Sequence, residues 1–159
     1  MKRKVFISGA LSSAQGTVRL EVFYERIGEL CEGRGMEVFI PHRDANPERL
    51  DGFTNDLLYQ SNMERLKSTD LIIAYAGLPS IGVGMEVQEA CHLNIDVITL
   101  AEKGFPVSKP LQGCPSVMSH VAFKDFDDAI AQLEVIIGKW MAGGNGKAQS
   151  REFSSMNNR

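Results

Sequence analysis

The sequence has no basic excess, no cysteine pair at metal spacing and no apolar run of membrane length. Lysine and arginine number 17 against 20 aspartates and glutamates, a net charge of −3. A nucleic-acid polymer is therefore not an expected partner, since it would call for a cationic face. A single nucleotide can still bind through hydroxyls and backbone amides. Cys31, Cys91 and Cys114 are odd in number, widely spaced and free of any Cys-x-x-Cys. Cys31 and Cys91 fall on apolar helical faces and read as buried thiols. The three histidines show no ligand spacing, so no metal and no other cofactor is expected. Met1-Lys2-Arg3-Lys4 is basic, but Val5-Phe6-Ile7 is too short for a signal-peptide core and reads as a strand. No segment can span a membrane, so no membrane partner is expected and a reducing cytoplasm is the natural compartment.

What is present is an ordinary globular composition, 43% hydrophobic and 23% charged over 159 residues, enough for one domain with a substantial core. Strand and helix patterns alternate. Strands are expected over Lys4–Ser8, Met36–Ile40, Leu71–Tyr75, Ile95–Leu100 and near His120–Phe123. Helices are expected over Thr17–Glu32, Thr54–Lys67, from Val87 onward, and Asp127–Met141. His42–Gly52 and Glu102–Ser116 carry prolines and read as long loops. Residues 1–142 thus form a doubly wound α/β domain, flavodoxin- or Rossmann-like, most simply a five-stranded parallel sheet in the order 2-1-3-4-5. The tail over 143–159 is rich in Gly, Ser and Asn and is expected to be disordered.

The most informative stretch is Pro79-Ser80-Ile81-Gly82-Val83-Gly84-Met85-Glu86. It follows a buried-strand pattern and precedes a helical one. It reads as a loop whose glycines let backbone approach a ligand, with Glu86 in the first turn of the next helix. Ligands of open parallel sheets bind beyond the carboxyl ends of the strands, where this loop would lie. A helix start favours an ionised carboxylate, which suits a nucleophile. Glutamate is also common there simply as a dipole partner.

Two more loops share that edge. Gly9–Gly16 lacks both the dinucleotide fingerprint and the P-loop pattern. Gly9, Ser12 and Ser13 could hold a sugar or phosphate, and the serines could equally cap the helix. His42 and Arg43 follow the second strand and could reach a ligand or remain a solvated surface pair. Asp70 begins the third strand at the opposite edge and reads as structural. Ser80 could bind a ligand oxygen or cap the turn.

With Asp70-Leu71-Ile72-Ile73-Ala74 ahead of it, Pro79-Ser80-x-Gly82-x-Gly84-Met85-Glu86 resembles the nucleoside 2-deoxyribosyltransferase family, which includes the 2′-deoxynucleoside 5′-monophosphate N-glycosidases. The resemblance runs from Val5 to the Phe126 region. It implies a doubly wound fold and a nucleoside or nucleotide substrate. It implies that Glu86 attacks C1′ and that water or a second base resolves a glycosyl-enzyme ester. It assigns 5′-phosphate binding to Ser80, places Gly82, Gly84 and Met85 around the ligand, and implies a homodimer or larger homo-oligomer in which Ser108 reaches a neighbour's ligand. Two departures follow. Where the family carries an aspartate eight residues before the one that begins the third strand, this chain has Asn62. An amide hydrogen-bonds a base or orients Glu86 but supplies no acidic proton. Asp56 or Glu64 could substitute only in another helix register. The first loop also lacks the arginine of the monophosphate hydrolases; the nearest is Arg19.

The expected activity is cleavage or exchange of an N-glycosidic bond through Glu86. Hydrolase and transferase both fit, with Ser80 and Ser108 favouring the hydrolase. NAD or another N-glycoside is an alternative substrate. A nucleotide-binding or sensing protein, catalytically weakened at Asn62, is the alternative from another class.

Overall fold

The computed structural model describes residues 1–10, 17–45 and 54–143. Its elements are β1 (Lys4–Ser8), α1 (Thr17–Glu32), β2 (Glu37–Phe39), α2 (Pro41–Asp44), α3 (Asn55–Lys67), β3 (Leu71–Tyr75), α4 (Ile81–Leu93), β4 (Asp96–Glu102), α5 (Lys109–Gln112), β5 (Val117–Phe123) and α6 (Phe126–Ala142). The strands are all parallel in the order β2-β1-β3-β4-β5. Both the doubly wound class and the strand order match the expectation from the sequence.

The period-two alternation of strands builds two cores. Val5 and Ile7 of β1, with Leu71, Ile73 and Tyr75 of β3, face α1 and α6. There Phe23 stacks on Phe126 with ring centroids 4.1 Å apart. Phe6, Ile72, Ala74 and Val97 face α3 and α4, where Leu66, Val83, Val87 and Ala90 cover them. By the same alternation Ser8, two residues after Phe6, turns toward α4. Its register partner on β3 is Ala74, whose small side chain leaves space there.

Among the described residues, three helices begin with side-chain caps. Thr54 Oγ1 accepts from Leu57 N at 3.3 Å, Ser80 Oγ from Val83 N at 3.4 Å, and Asp125 Oδ1 from Asp128 N at 2.8 Å. Asn94 closes α4 in the left-handed region, φ 54°. Asp70 Oδ2 accepts from Lys4 N at 2.9 Å and so ties β3 to β1, the structural role expected of it.

The structure corrects three local expectations. α4 starts at Ile81, so the supposed glycine loop is helix and Glu86 is its sixth residue, in the second turn. The Ser80 cap starts the helix early. Pro41–Asp44 is a short helix where a loop was expected, because Pro41 suits a first helical turn. The loop expected at 102–116 contains α5, which opens on Lys109-Pro110 for the same reason. The rest of the loop to Gly52, Ser12 and Ser13, and the tail beyond Gly143 lie outside the described residues. No described helix is long and apolar enough to cross a membrane.

Candidate active site

Glu86 is buried, 8% exposed, against the carboxyl end of β1. Its partner is Ser8, whose Oγ donates to Glu86 Oε2 at 2.5 Å, a length typical of a hydroxyl bonded to a carboxylate. Burial pushes the Glu86 carboxyl up to about 7, and the Ser8 hydrogen bond offsets part of that rise. The expected aid from the helix N-terminus is missing, because the second turn lies beyond its reach. Burial therefore sets the protonation of Glu86. A buried carboxyl poised near neutrality suits acid–base or nucleophilic work.

A cavity of about 380 Å³ lies at the same carboxyl edge of the sheet, lined by residues other than Glu86. Ala76, Ser80 and Gly84 form one wall, and Pro106, Ser108 and Leu111 form the other. Ser80 and Ser108 are thus brought together within a single chain. A Cβ on Gly84 would meet nothing within 4 Å, so the missing side chain leaves open space for a ligand. Gly82 is helical and unstrained, with Ser80 Oγ 3.9 Å from where its Cβ would be. Met85, 49% exposed, points elsewhere, into a groove between α3 and α4 that it shares with Tyr59 and Met63.

His42 is buried rather than solvated. Its Nε2 lies 3.0 Å from Glu25 Oε1, and its buried Nδ1 has no partner among the described residues. Gly9 supports packing: a Cβ there would run into the Tyr24 ring. Tyr24 in turn donates its hydroxyl to Ala10 O at 3.4 Å. On α3, Leu58, Asn62 and Leu66 recur every fourth residue, and both leucines pack into the α3–α4 core. Asn62 therefore faces inward, and its buried Oδ1 has no partner among the described residues. Asp56 and Glu64 are exposed, so neither replaces Asn62 on the inner face.

Ser8 escaped the sequence reading, as did the Tyr75–Glu102 pair on the same sheet edge. Tyr75 Oη donates to Glu102 Oε2 at 2.8 Å. Burial first, and that bond second, hold the Tyr75 phenol well above its ordinary range. The signal for Ser8 was its place as the last residue of a central strand, on the Phe6 face. Among the described residues no group of three His, Cys, Asp or Glu side chains could hold a metal.

No family model matches the chain. A Methanosarcina mazei protein provisionally named 2′-deoxynucleoside 5′-phosphate N-hydrolase 1 is 30% identical over 138 residues, covering 86% of this chain and 83% of the relative. A Methanococcoides burtonii protein of the same provisional name is 31% identical over 112 residues, 69% of this chain and 89% of the relative. A Clostridium botulinum CMP N-glycosidase structure superposes with a TM-score of 0.66 at 19% identity, covering 84% of this chain and 99% of that one. The 2-deoxyribosyltransferase of Bacillus psychrosaccharolyticus superposes at 0.60 with 15% identity, covering 80% and 90%.

Proposed function

We infer function from kinship: the chain belongs to the nucleoside 2-deoxyribosyltransferase family, which includes the 2′-deoxynucleoside 5′-phosphate N-hydrolases. It is accordingly an N-glycoside hydrolase or transferase. The proposed substrate is a nucleoside or nucleoside 5′-monophosphate, and Glu86 is the nucleophile. Its carboxylate attacks C1′, the base departs with the glycosidic bonding pair, and a glycosyl ester forms on Glu86. Water, or a second base, then takes the sugar and frees the carboxylate. One observation carries this reading: a buried carboxyl, gripped by Ser8 at 2.5 Å, at the sheet edge that bears the cavity. Ser80 and Ser108, on facing walls, suit a phosphate or sugar oxygen.

The test is incubation with nucleosides, deoxynucleoside monophosphates and NAD, with and without an acceptor base. Free base without acceptor marks a hydrolase, and exchange only with acceptor marks a transferase. Ligand binding with no base released would sink the enzymatic reading and leave the binding or sensing protein. Release confined to NAD would move the substrate class.

Ser8→Ala gives a specific pH signature. The Ser8 hydroxyl stabilises ionised Glu86, so its removal raises the carboxyl further. Ionised Glu86 is the active form, so kcat/KM climbs with pH through about 7 in the wild type. In Ser8→Ala that limb moves to higher pH by about 1 unit or more, since a hydrogen bond to a charged group contributes about 1.5–3 kcal/mol. An unmoved limb, measured by base release across pH, would mean Glu86 is not the titrating group.

The proposed assembly is a homodimer or larger homo-oligomer. Ile81, 85% exposed, stands at the cavity rim, where a neighbour could cover it. Light scattering at micromolar concentration should give at least twice the chain mass. A fully active monomer contradicts this.

A further inference from the structure

β3 and β4 run side by side, and each leads into one wall of the cavity. Tyr75 ends β3 and is followed by Ala76, Leu78 and Ser80, which line the cavity. Glu102 ends β4 and is followed by Pro106 and Ser108, which line it from the other side. Tyr75 pairs in register with Leu100, so the period-two alternation puts Glu102 on the same face of the sheet, diagonal to Tyr75. There Tyr75 Oη donates to Glu102 Oε2 at 2.8 Å, a bond to a carboxylate and so a strong one. Burial, the larger cause, and this bond hold the phenol above its ordinary range, so it keeps its proton and remains the donor. The ring is fixed by Phe23, in T-shaped contact at 6.3 Å, and by Tyr24 at 6.2 Å. Gly77, buried between Ala76 and Leu78, rests directly on the pair: a Cβ there would stand 2.5 Å from both Tyr75 Oη and Glu102 Oε2.

We propose that Tyr75 and Glu102 are a positioning pair that sets the spacing of the two cavity walls, and so governs how tightly the cavity holds its ligand. For the identity of that ligand the inference rests on the proposed nucleotide substrate. Neither side chain lines the cavity, so the pair acts through the backbone. On one side, Gly77 seats the loop from Ala76 to Ser80 on the hydrogen-bonded pair. On the other, Phe105 N donates to Glu102 O at 3.1 Å, folding the chain back toward Pro106 and Ser108. The bond thereby fixes Ser80 against Ser108, the two hydroxyl-bearing residues on facing walls. Glycine is needed at position 77 because any side chain there would part the pair. A partly buried carboxylate that loses its donor turns to water, and the wall it roots loosens with it.

The test is steady-state base release from dAMP, dGMP, dCMP and dTMP by Tyr75→Phe, Glu102→Ala and Glu102→Gln, each checked for folding by circular dichroism. Tyr75→Phe keeps the ring and its packing, so it isolates the hydroxyl. KM should rise by about tenfold in Tyr75→Phe and in Glu102→Ala, the scale of one hydrogen bond to a charged group, while kcat holds. The double variant should be no worse than either single one, since both remove the same bond. Glu102→Gln still offers an oxygen to the phenol and should restore the wild-type KM. Loss of kcat at unchanged KM, additive losses, or a Glu102→Gln as impaired as Glu102→Ala would overturn the proposal. Backbone hydrogen exchange gives a readout independent of turnover. Over residues 76–80 and 103–108 it should quicken by about tenfold in Tyr75→Phe and Glu102→Ala, and return to the wild-type rate in Glu102→Gln. Quickened exchange with unchanged KM in an active enzyme would make the pair a structural tie and overturn its positioning role. A wild type that releases no base sinks the nucleotide reading instead, and exchange then decides the pair: quickening upholds it, and no change overturns it.

Discussion

Glu86→Gln should abolish base release and make the folded protein more stable at pH 8. The loss of activity follows from chemistry: a neutral amide cannot form the glycosyl ester, and removal of a nucleophile costs on the order of 10⁴-fold or more. The gain in stability follows from burial. The Glu86 carboxyl moves from 4.5 in the open chain to about 7 in the folded one. The folded state therefore holds this proton more tightly than the unfolded state. Stability contributed by the group is fully present below about 4.5, falls as pH rises toward about 7, and stays lost above it. Glutamine imitates the neutral form and can still accept from Ser8. It should recover up to about 3 kcal/mol at pH 8, and almost nothing at pH 4. Urea midpoints of both proteins at the two pH values check this. Near wild-type turnover in folded Glu86→Gln would exclude the mechanism, whereas equal destabilisation at both pH values would mean the carboxyl is not held in a desolvated site. A buried residue that costs stability when ionised is what a functional site shows when chemistry and folding pull against each other.

The sheet was legible because its information is local and repeated. Leu71–Tyr75 is wholly apolar, and such runs between helical periods leave few arrangements for a parallel sheet. Ends were less legible, because capping decides them. Gly82 and Gly84 look like loop residues on propensity alone, yet one hydroxyl, Ser80 Oγ, is enough to begin α4 before them. That shift of register removed the dipole argument for Glu86 and replaced it with burial. Ser8 was invisible for a different reason. Its hydrogen bond spans 78 residues of sequence and depends on how β1 and α4 pack, which no local pattern encodes. His42 was misplaced for the same reason: its burial comes from Glu25 and Tyr24 on α1. Asn62 could be singled out only through the family motif, and only its place between Leu58 and Leu66 shows that it faces inward.

Asn62→Asp should raise the rate of base release. Asn62 sits on the inner face of α3, with a buried Oδ1 that no described group satisfies. An unmet buried acceptor is costly, so a ligand N–H or O–H is its natural complement. An asparagine can accept such a bond and position a leaving base. It cannot hand that base a proton. An aspartate in the same apolar setting would keep its proton to higher pH, since burial disfavours the charged form. It could then protonate the departing base while Glu86, ionised, attacks C1′. General acid catalysis contributes about 10²–10⁴-fold, and the expected gain is toward the lower end because the site was not shaped around an acid. The pH profile separates this from a mere packing effect. Wild-type kcat/KM should rise through about 7 and then level, as only Glu86 must ionise. The variant should show the same rise and then fall at higher pH, as the new acid loses its proton. A lower rate with an unchanged profile would place Asn62 in packing, and an unchanged rate would mean that another group already protonates the base. A bell-shaped profile with faster release would show that one substitution on α3 supplies the acid that Asn62 lacks.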